Sequence, residues 1–112
     1  MPKGDFVGEF ELYVMLALSH VEPEAYGVTI RREIETRTGR TIAIGAVYAT
    51  LARLEEKGLV QFRISDPQPV QGGRAKKYFS LTRSGARALR HSTAMLARMI
   101  DGLAPGLRGG QW

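Results

Sequence analysis

At Gly58 the hydrophobic pattern of this chain changes period, and a fold must accommodate both halves of the change. Before the glycine, in Gly45-Ala-Val-Tyr-Ala-Thr-Leu-Ala-Arg-Leu-Glu-Glu-Lys-Gly58, the residues Val47, Leu51 and Leu54 recur at i, i+4 and i+7. That is the apolar stripe of a helix of about 13 residues and 20 Å. After the glycine, Leu59-Val-Gln-Phe-Arg-Ile-Ser alternates, which places Val60, Phe62 and Ile64 on one face of a strand. Lys77-Tyr-Phe-Ser-Leu is its natural partner. The intervening Asp66-Pro-Gln-Pro-Val-Gln-Gly-Gly-Arg-Ala breaks both periods with two prolines and a glycine pair. It reads as a long hairpin loop with Arg74 at its tip and Lys76 and Lys77 on the returning strand. The expected class is therefore α+β, mainly α.

Upstream lie two more helical patterns. Residues 9 to 19 (Glu-Phe-Glu-Leu-Tyr-Val-Met-Leu-Ala-Leu-Ser) are apolar nearly all round, as in a helix buried on several sides. Pro23 disfavours helix at Glu22 and suits the start of the next one. Residues 25 to 38 then present Gly27, Ile30 and Ile34 on one face and Arg31, Arg32 and Glu35 on the other, with Gly39 as the stop. Only Arg40-Thr-Ile-Ala-Ile separates this helix from the next, which is helix-turn-helix organisation. Followed by a hairpin with a basic tip, it becomes a winged helix. In that architecture the second helix of the pair enters a major groove and the wing places cations on the adjacent backbone or minor groove.

The outward face of the 45 to 57 helix fits that use. It carries Gly45, Tyr48, Ala49, Ala52, Arg53 and Glu56, mostly small residues with two long donors, as a helix that must approach another surface requires. Thr41, Gly45, Tyr48, Ala49, Arg53, Arg74, Lys76 and Lys77 are the expected DNA-binding residues. The charge distribution agrees. The chain has a net charge of +5, and residues 71 to 90 hold Arg74, Lys76, Lys77, Arg83, Arg87 and Arg90 with no acid among them. Residues 1 to 30 hold one cation, Lys3, against Asp5, Glu9, Glu11, Glu22 and Glu24. A single-sign cluster on a mixed chain is the footprint of a polyanion partner.

The blocks Ala-Tyr-Gly-Val-x-Ile-Arg at 25 to 31, Gly-Ala-Val-Tyr-x-x-Leu-x-Arg-Leu-Glu-Glu-Lys-Gly-Leu-Val at 45 to 60 and Gly-Gly-Arg-Ala-Lys-Lys-Tyr-Phe-x-Leu-Thr-x-x-Gly at 72 to 85 resemble, in order and spacing, the PadR family of bacterial transcriptional regulators. The resemblance covers roughly residues 9 to 90. It implies a dimeric winged-helix repressor that binds a palindromic operator and, in many members, is released when a small-molecule effector binds near the dimer interface. Ile44 stands where many relatives have proline, and Ala49 and Ala52 are shorter than the polar residues often found there. Both departures bear on operator choice and not on the class of function.

The last helix is expected from the N-cap Thr82 to about Leu103. Ala86, Leu89, Thr93, Leu96, Ile100 and Leu103 are spaced alternately three and four apart, an a/d seam widened by Met95 and Met99. A helix beyond the wing is expected to find little of its own domain to pack on. Its seam (Leu89, Thr93, Leu96, Ile100, Leu103) is therefore assigned to a homodimer interface, against Phe10 and Tyr13 on the partner's first helix. An intramolecular cover over the sheet is the alternative. The expected organisation is an N-terminal arm at 1 to 8, a winged helix-turn-helix at 9 to 81, a dimerisation helix at 82 to 103 and a disordered tail at 104 to 112.

Other classes of function find little support. The chain has no cysteine, so thiolate nucleophiles and zinc-thiolate sites are excluded and a reducing cytoplasm suits it. Met-Pro-Lys-Gly-Asp begins no secretion signal, and no apolar run reaches the ~18 residues of a membrane span. His20 and His91 are the only histidines, no phosphate loop or His-Glu-x-x-His motif occurs, and the carboxylates fall on faces expected to be exposed. No enzyme activity, metal or cofactor is expected. The rival reading is a winged-helix module whose basic wing meets an acidic protein. RNA binding lacks the exposed aromatic platform that single strands require.

Overall fold

A computed structural model describes residues 7–65 and 76–110. The elements run α1 (Glu9–Val21), α2 (Gly27–Thr38), α3 (Ile44–Glu56), β1 (Val60–Ile64), β2 (Lys77–Leu81) and α4 (Arg83–Ile100), followed by a 3-10 turn at Pro105–Leu107. The order and type of every expected element are met. The Asp66 to Ala75 loop, with Arg74, lies outside the described residues.

The three α1–α3 helices pack on one another, and Met15, Leu18, Ile30, Leu51, Leu54 and Leu59 are fully enclosed between them. Each such side chain contributes about 1.5–3 kcal/mol of burial. The stops of α2 and α3 are the glycines read from the sequence: Gly39 at φ 74° and Gly58 at φ 76°, a left-handed conformation that costs other residues energy. Between α2 and α3 the turn is pinned by Glu35. Its carboxylate accepts from the Ile42 N–H at 2.8 Å, and its backbone carbonyl accepts from Gly39 at 2.8 Å. Ile42 is thereby tucked into the core while Thr41 stays exposed.

β1 and β2 pair antiparallel, with Val60 opposite Leu81, Phe62 opposite Phe79 and Ile64 opposite Lys77. The shared face expected for Val60, Phe62 and Ile64 is present, but only its inner end is covered. Val60 and Phe79 are buried, Phe62 is half-buried and Ile64 is 63% exposed, because the strand runs past the end of the helical core. The free edge of β2 is also used: the Phe79 N–H donates to the Ala25 carbonyl at 2.7 Å. Tyr26, next to Ala25, is the extended N-cap (φ −128°, ψ 174°), and α2 starts at Gly27 rather than at the expected residue 25.

α4 departs from expectation in the packing of its first half and at its C-terminal end. Its first half does pack on its own domain: Gly85 and Ala88 are buried, Leu89 is partly buried, and Thr82 caps the helix by accepting from Gly85 N–H at 2.9 Å. Thr82 Oγ1 also donates to the Gly58 carbonyl at 2.6 Å, tying α4 to the turn that follows α3. From Thr93 onward every residue of the helix is exposed. The helix stops at Ile100, so Leu103 is not in it, and part of the expected structureless tail forms the 3-10 turn.

Candidate nucleic-acid interface

α3 divides as its periodicity requires. Val47, Thr50, Leu51 and Leu54 are buried; Gly45, Ala46, Ala49 and Ala52 are exposed and small. Nothing lies within 4 Å of where a Cβ would stand on Gly45. Around these positions the outer surface is consequently shallow, with Tyr48, 46% exposed, rising from it. Tyr48 does not extend freely into solvent. A Cβ built at Gly27 would overlap its hydroxyl and ring, with Cε1 at 2.8 Å, so the phenol rests on the start of α2.

Arg53, the other expected donor, occupies a different flank. Its guanidinium donates to Thr50 Oγ1 at 3.0 Å and lies 3.9 Å from Glu11 Oε2. Glu11 corrects the expectation that carboxylates would be exposed. It sits buried in the first turn of α1, where it accepts from the Gly8 N–H at 3.0 Å and from Lys57 Nζ at 2.9 Å through both oxygens. Burial acts to raise its pKa, but the Gly8 hydrogen bond and the charges of Lys57 and Arg53 outweigh it and hold the carboxyl below the usual glutamate value. The cluster clasps the start of α1 to the end of α3. Arg53 keeps about half its side chain in solvent, with 55% exposed.

At the root of the wing, strand alternation sends the two lysines to opposite faces. Lys77 lies over the Phe62 ring, 3.9 Å from its centroid. Lys76 lies over the ring of Tyr26, at 4.3 Å, and Tyr26 meets Tyr78 edge-on with centroids 5.7 Å apart. Arg63, opposite Tyr78 in the ladder, stacks on it at 4.6 Å. The result is a row, Lys76, Tyr26, Tyr78, Arg63, with a cation at each end.

Gly45, Tyr48 and Ala49 thus share one exposed face of α3, Thr41 is exposed in the turn before it, Arg53 stands to the side, and Lys76 and Lys77 lie on opposite faces of the sheet. Tyr26, Tyr78 and Arg63, which complete the row with Lys76, are not among the residues that charge and helical faces single out. The available signals were the aromatic before a glycine in Ala-Tyr-Gly-Val and the alternation that puts Arg63 and Tyr78 on one face. Of the expected interface residues, Phe10, Tyr13 and Leu89 are half-buried against the chain's own core, while Thr93, Leu96, Ile100 and Leu103 are exposed. Among the described residues no group of acids and histidines could hold a metal ion, and no helix is long and apolar enough to cross a membrane.

Comparison with known proteins adds a family. The model of the transcriptional regulator PadR-like family matches residues 15–91. A PadR family transcriptional regulator from Eggerthella lenta is 30% identical, with 83% of this chain and 82% of that one covered and a TM-score of 0.64. A PadR family transcription regulator from Clostridium difficile is 23% identical over 83% of this chain and 95% of its own, with a TM-score of 0.67. A PadR-like transcription factor from Bacteroides fragilis is likewise 23% identical over 80% and 82%, with a TM-score of 0.67. No curated protein matches the chain.

Proposed function

Because this chain belongs to the PadR-like family of transcriptional regulators, which are DNA-binding proteins and not enzymes, we propose that it is a homodimeric repressor of a palindromic operator. The observation that carries the reading is the outer surface of α3: exposed, small over Gly45, Ala49 and Ala52, and crowned by Tyr48, which rests on the Gly27 backbone next to the Tyr26 ring that carries Lys76. Such a surface lets backbone and side chains reach base edges that a Lys- and Glu-studded helix would hold off. Gly45 and Ala49 permit the approach. Tyr48 and Thr41 contact bases or phosphates, Arg53 reaches a flanking phosphate with the part of its guanidinium that faces solvent, and Arg74, Lys76 and Lys77 hold backbone.

The dimer is supported by the bare apolar stretch of α4 (Met95, Leu96, Met99, Ile100) and by Leu103 beyond it. In a second copy the proposed counterpart is α1, through Phe10 and Tyr13. The proposed organisation is a winged helix-turn-helix at 9 to 81 followed by a dimerisation helix that ends at Ile100. Release by a small-molecule effector is part of the proposal. An open apolar groove of about 260 Å³ between α1 and α2, lined by Tyr13, Leu16, Ala17, His20, Ile34 and Arg37 among others, adjoins the proposed interface and is where such a molecule would bind. The site of action is the cytoplasm.

Selection of bound fragments from genomic DNA, followed by titration, tests the reading. Two α3 helices related by a two-fold axis enter successive major grooves only if half-sites repeat at about 10–10.5 bp or a multiple. Inserting about 5 bp at the operator centre should therefore abolish most of the specific affinity. Tyr48→Ala should do the same without changing the oligomeric state. Operator binding indifferent to the spacer and to Tyr48→Ala would exclude α3 as the reader. Salt-sensitive retention on an acidic protein with no preference among DNA fragments would favour the protein-binding module instead.

A further inference from the structure

Tyr26 and Gly27 are adjacent at the start of α2, and each meets a different part of the DNA-binding surface. Gly27 supplies the flat backbone on which the Tyr48 phenol rests. Tyr26 supplies the ring that carries Lys76 and abuts Tyr78, which carries Arg63 in turn. Their own backbone is tightly held. The Tyr26 N–H donates to Thr29 Oγ1 at 3.0 Å, that hydroxyl donates to the Glu24 carbonyl at 2.6 Å, and the neighbouring Ala25 carbonyl accepts from Phe79 in β2.

We infer that the Tyr26-Gly27 step is a positioning element that sets the reading helix and the wing in one fixed relation, by seating Tyr48 with one residue and the Lys76–Arg63 row with the other. The physical advantage is in ordering. A lysine or tyrosine free to sample several rotamers loses that freedom on binding and weakens the complex, whereas one already held by a ring or a backbone shelf has little left to lose. A cation on an aromatic face keeps its charge for a phosphate while its stem is confined. Neither Tyr26 nor Gly27 needs to touch DNA for this to work. The inference rests on the proposal that α3 and the wing bind DNA.

Its test separates the two arms. Binding of the wild type, Tyr26→Leu, Tyr26→Phe, Gly27→Ala, Tyr48→Ala and the Gly27→Ala/Tyr48→Ala double variant is measured against the selected operator and a scrambled duplex across a salt series, with thermal melts alongside. Tyr26→Leu should weaken binding to both duplexes about equally, by about threefold to tenfold, with the salt slope little changed because Lys76 and Arg63 still reach phosphate at a greater ordering cost. Tyr26→Phe keeps the ring and should retain the wild-type affinity. Gly27→Ala should reduce the preference for operator over scrambled DNA by about tenfold with little change on scrambled DNA. Because the displaced group is the free end of a side chain, Tyr48 can swing aside and the melt should stay near that of the wild type. In the Tyr48→Ala background the same Gly27→Ala change should have no further effect on preference.

An unchanged affinity in Tyr26→Leu, or a Gly27→Ala loss that persists undiminished without Tyr48, overturns the inference while leaving operator binding by the wild type intact. A wild type that does not prefer the operator overturns the proposed function and the inference together.

Discussion

The two halves of α4 have much the same length and opposite surroundings. In the first, Gly85 and Ala88 are buried, the latter with 1% of its surface exposed, although neither has a large side chain to bury. In the second, Leu96 is 52% exposed and Met99 79% exposed, although these are among the most apolar residues of the chain. Within one helix, then, burial follows position against the domain and not hydrophobicity. A small residue is covered because the Leu59 backbone presses on it: a Cβ at Gly85 would collide with the Leu59 carbonyl oxygen and come within 2.9 Å of its carbon. A large one is bare because the helix has run beyond α1 and β2. Bare apolar residues at heptad spacing are what a second copy would cover.

The largest effect should come from attacking the bare half. Leu96→Glu should abolish dimers at micromolar concentration, since each copy would bury an unpaired charge at a cost of several kcal/mol. The monomer should still fold, because Leu96 contributes little to its own core. Sedimentation combined with circular dichroism checks both statements. An intact dimer would mean that the second half of α4 is not the interface and would remove the contrast drawn above.

Attacking the covered half should give the complementary result. Gly85→Ala forces the α4 backbone away from Leu59 and should destabilise the fold by about 3 kcal/mol or more, beyond the usual cost of overpacking because the obstacle is backbone. Thermal melts of a dilute sample, where pairing contributes little, give the measurement. A melt within a degree or two of wild type would show that the first half is not locked.

A smaller effect sharpens the contrast electrostatically. The domain on which the first half packs is held in part by the Glu11 cluster between α1 and α3, whose carboxyl ionises below the ordinary glutamate pKa when folded. The sign follows from that direction: the stabilisation is fully present above the unfolded value, about 4.3, and is lost as pH falls through the lower folded value. Glu11→Gln should therefore cost about 1–2 kcal/mol at neutral pH, and the gap from wild type should narrow on acidification below about pH 4. Equal loss in both proteins over that range would dissociate the cluster from folding.

Much of this architecture was legible from local pattern. The period change at Gly58, the glycine stops, the Thr82 cap and the two strands all stand where the residues implied, because each depends on a residue's own backbone preference or its direction from the axis. The limits of α2 and α4 were less accurate. Ala25 bonds to Phe79 of β2 and α2 starts only at Gly27, and the a/d seam continues in sequence to Leu103 although the helix ends at Ile100.

What the sequence determined by itself is therefore the order of elements, the small outer surface of α3 and the apolar stripe of α4, each a statement about which way a side chain points. Tertiary structure decided what stands opposite. Lys76 and Lys77 are neighbours in sequence and part company over Tyr26 and Phe62; Arg53 turns toward Glu11; Tyr48 rests on Gly27. Those partners lie 15 to 50 positions apart, and periodicity carries no information about the angle at which two elements meet. Only packing α1, α2 and the sheet around α3 fixes that angle, and with it which cation faces a ring, which a carboxylate and which the solvent.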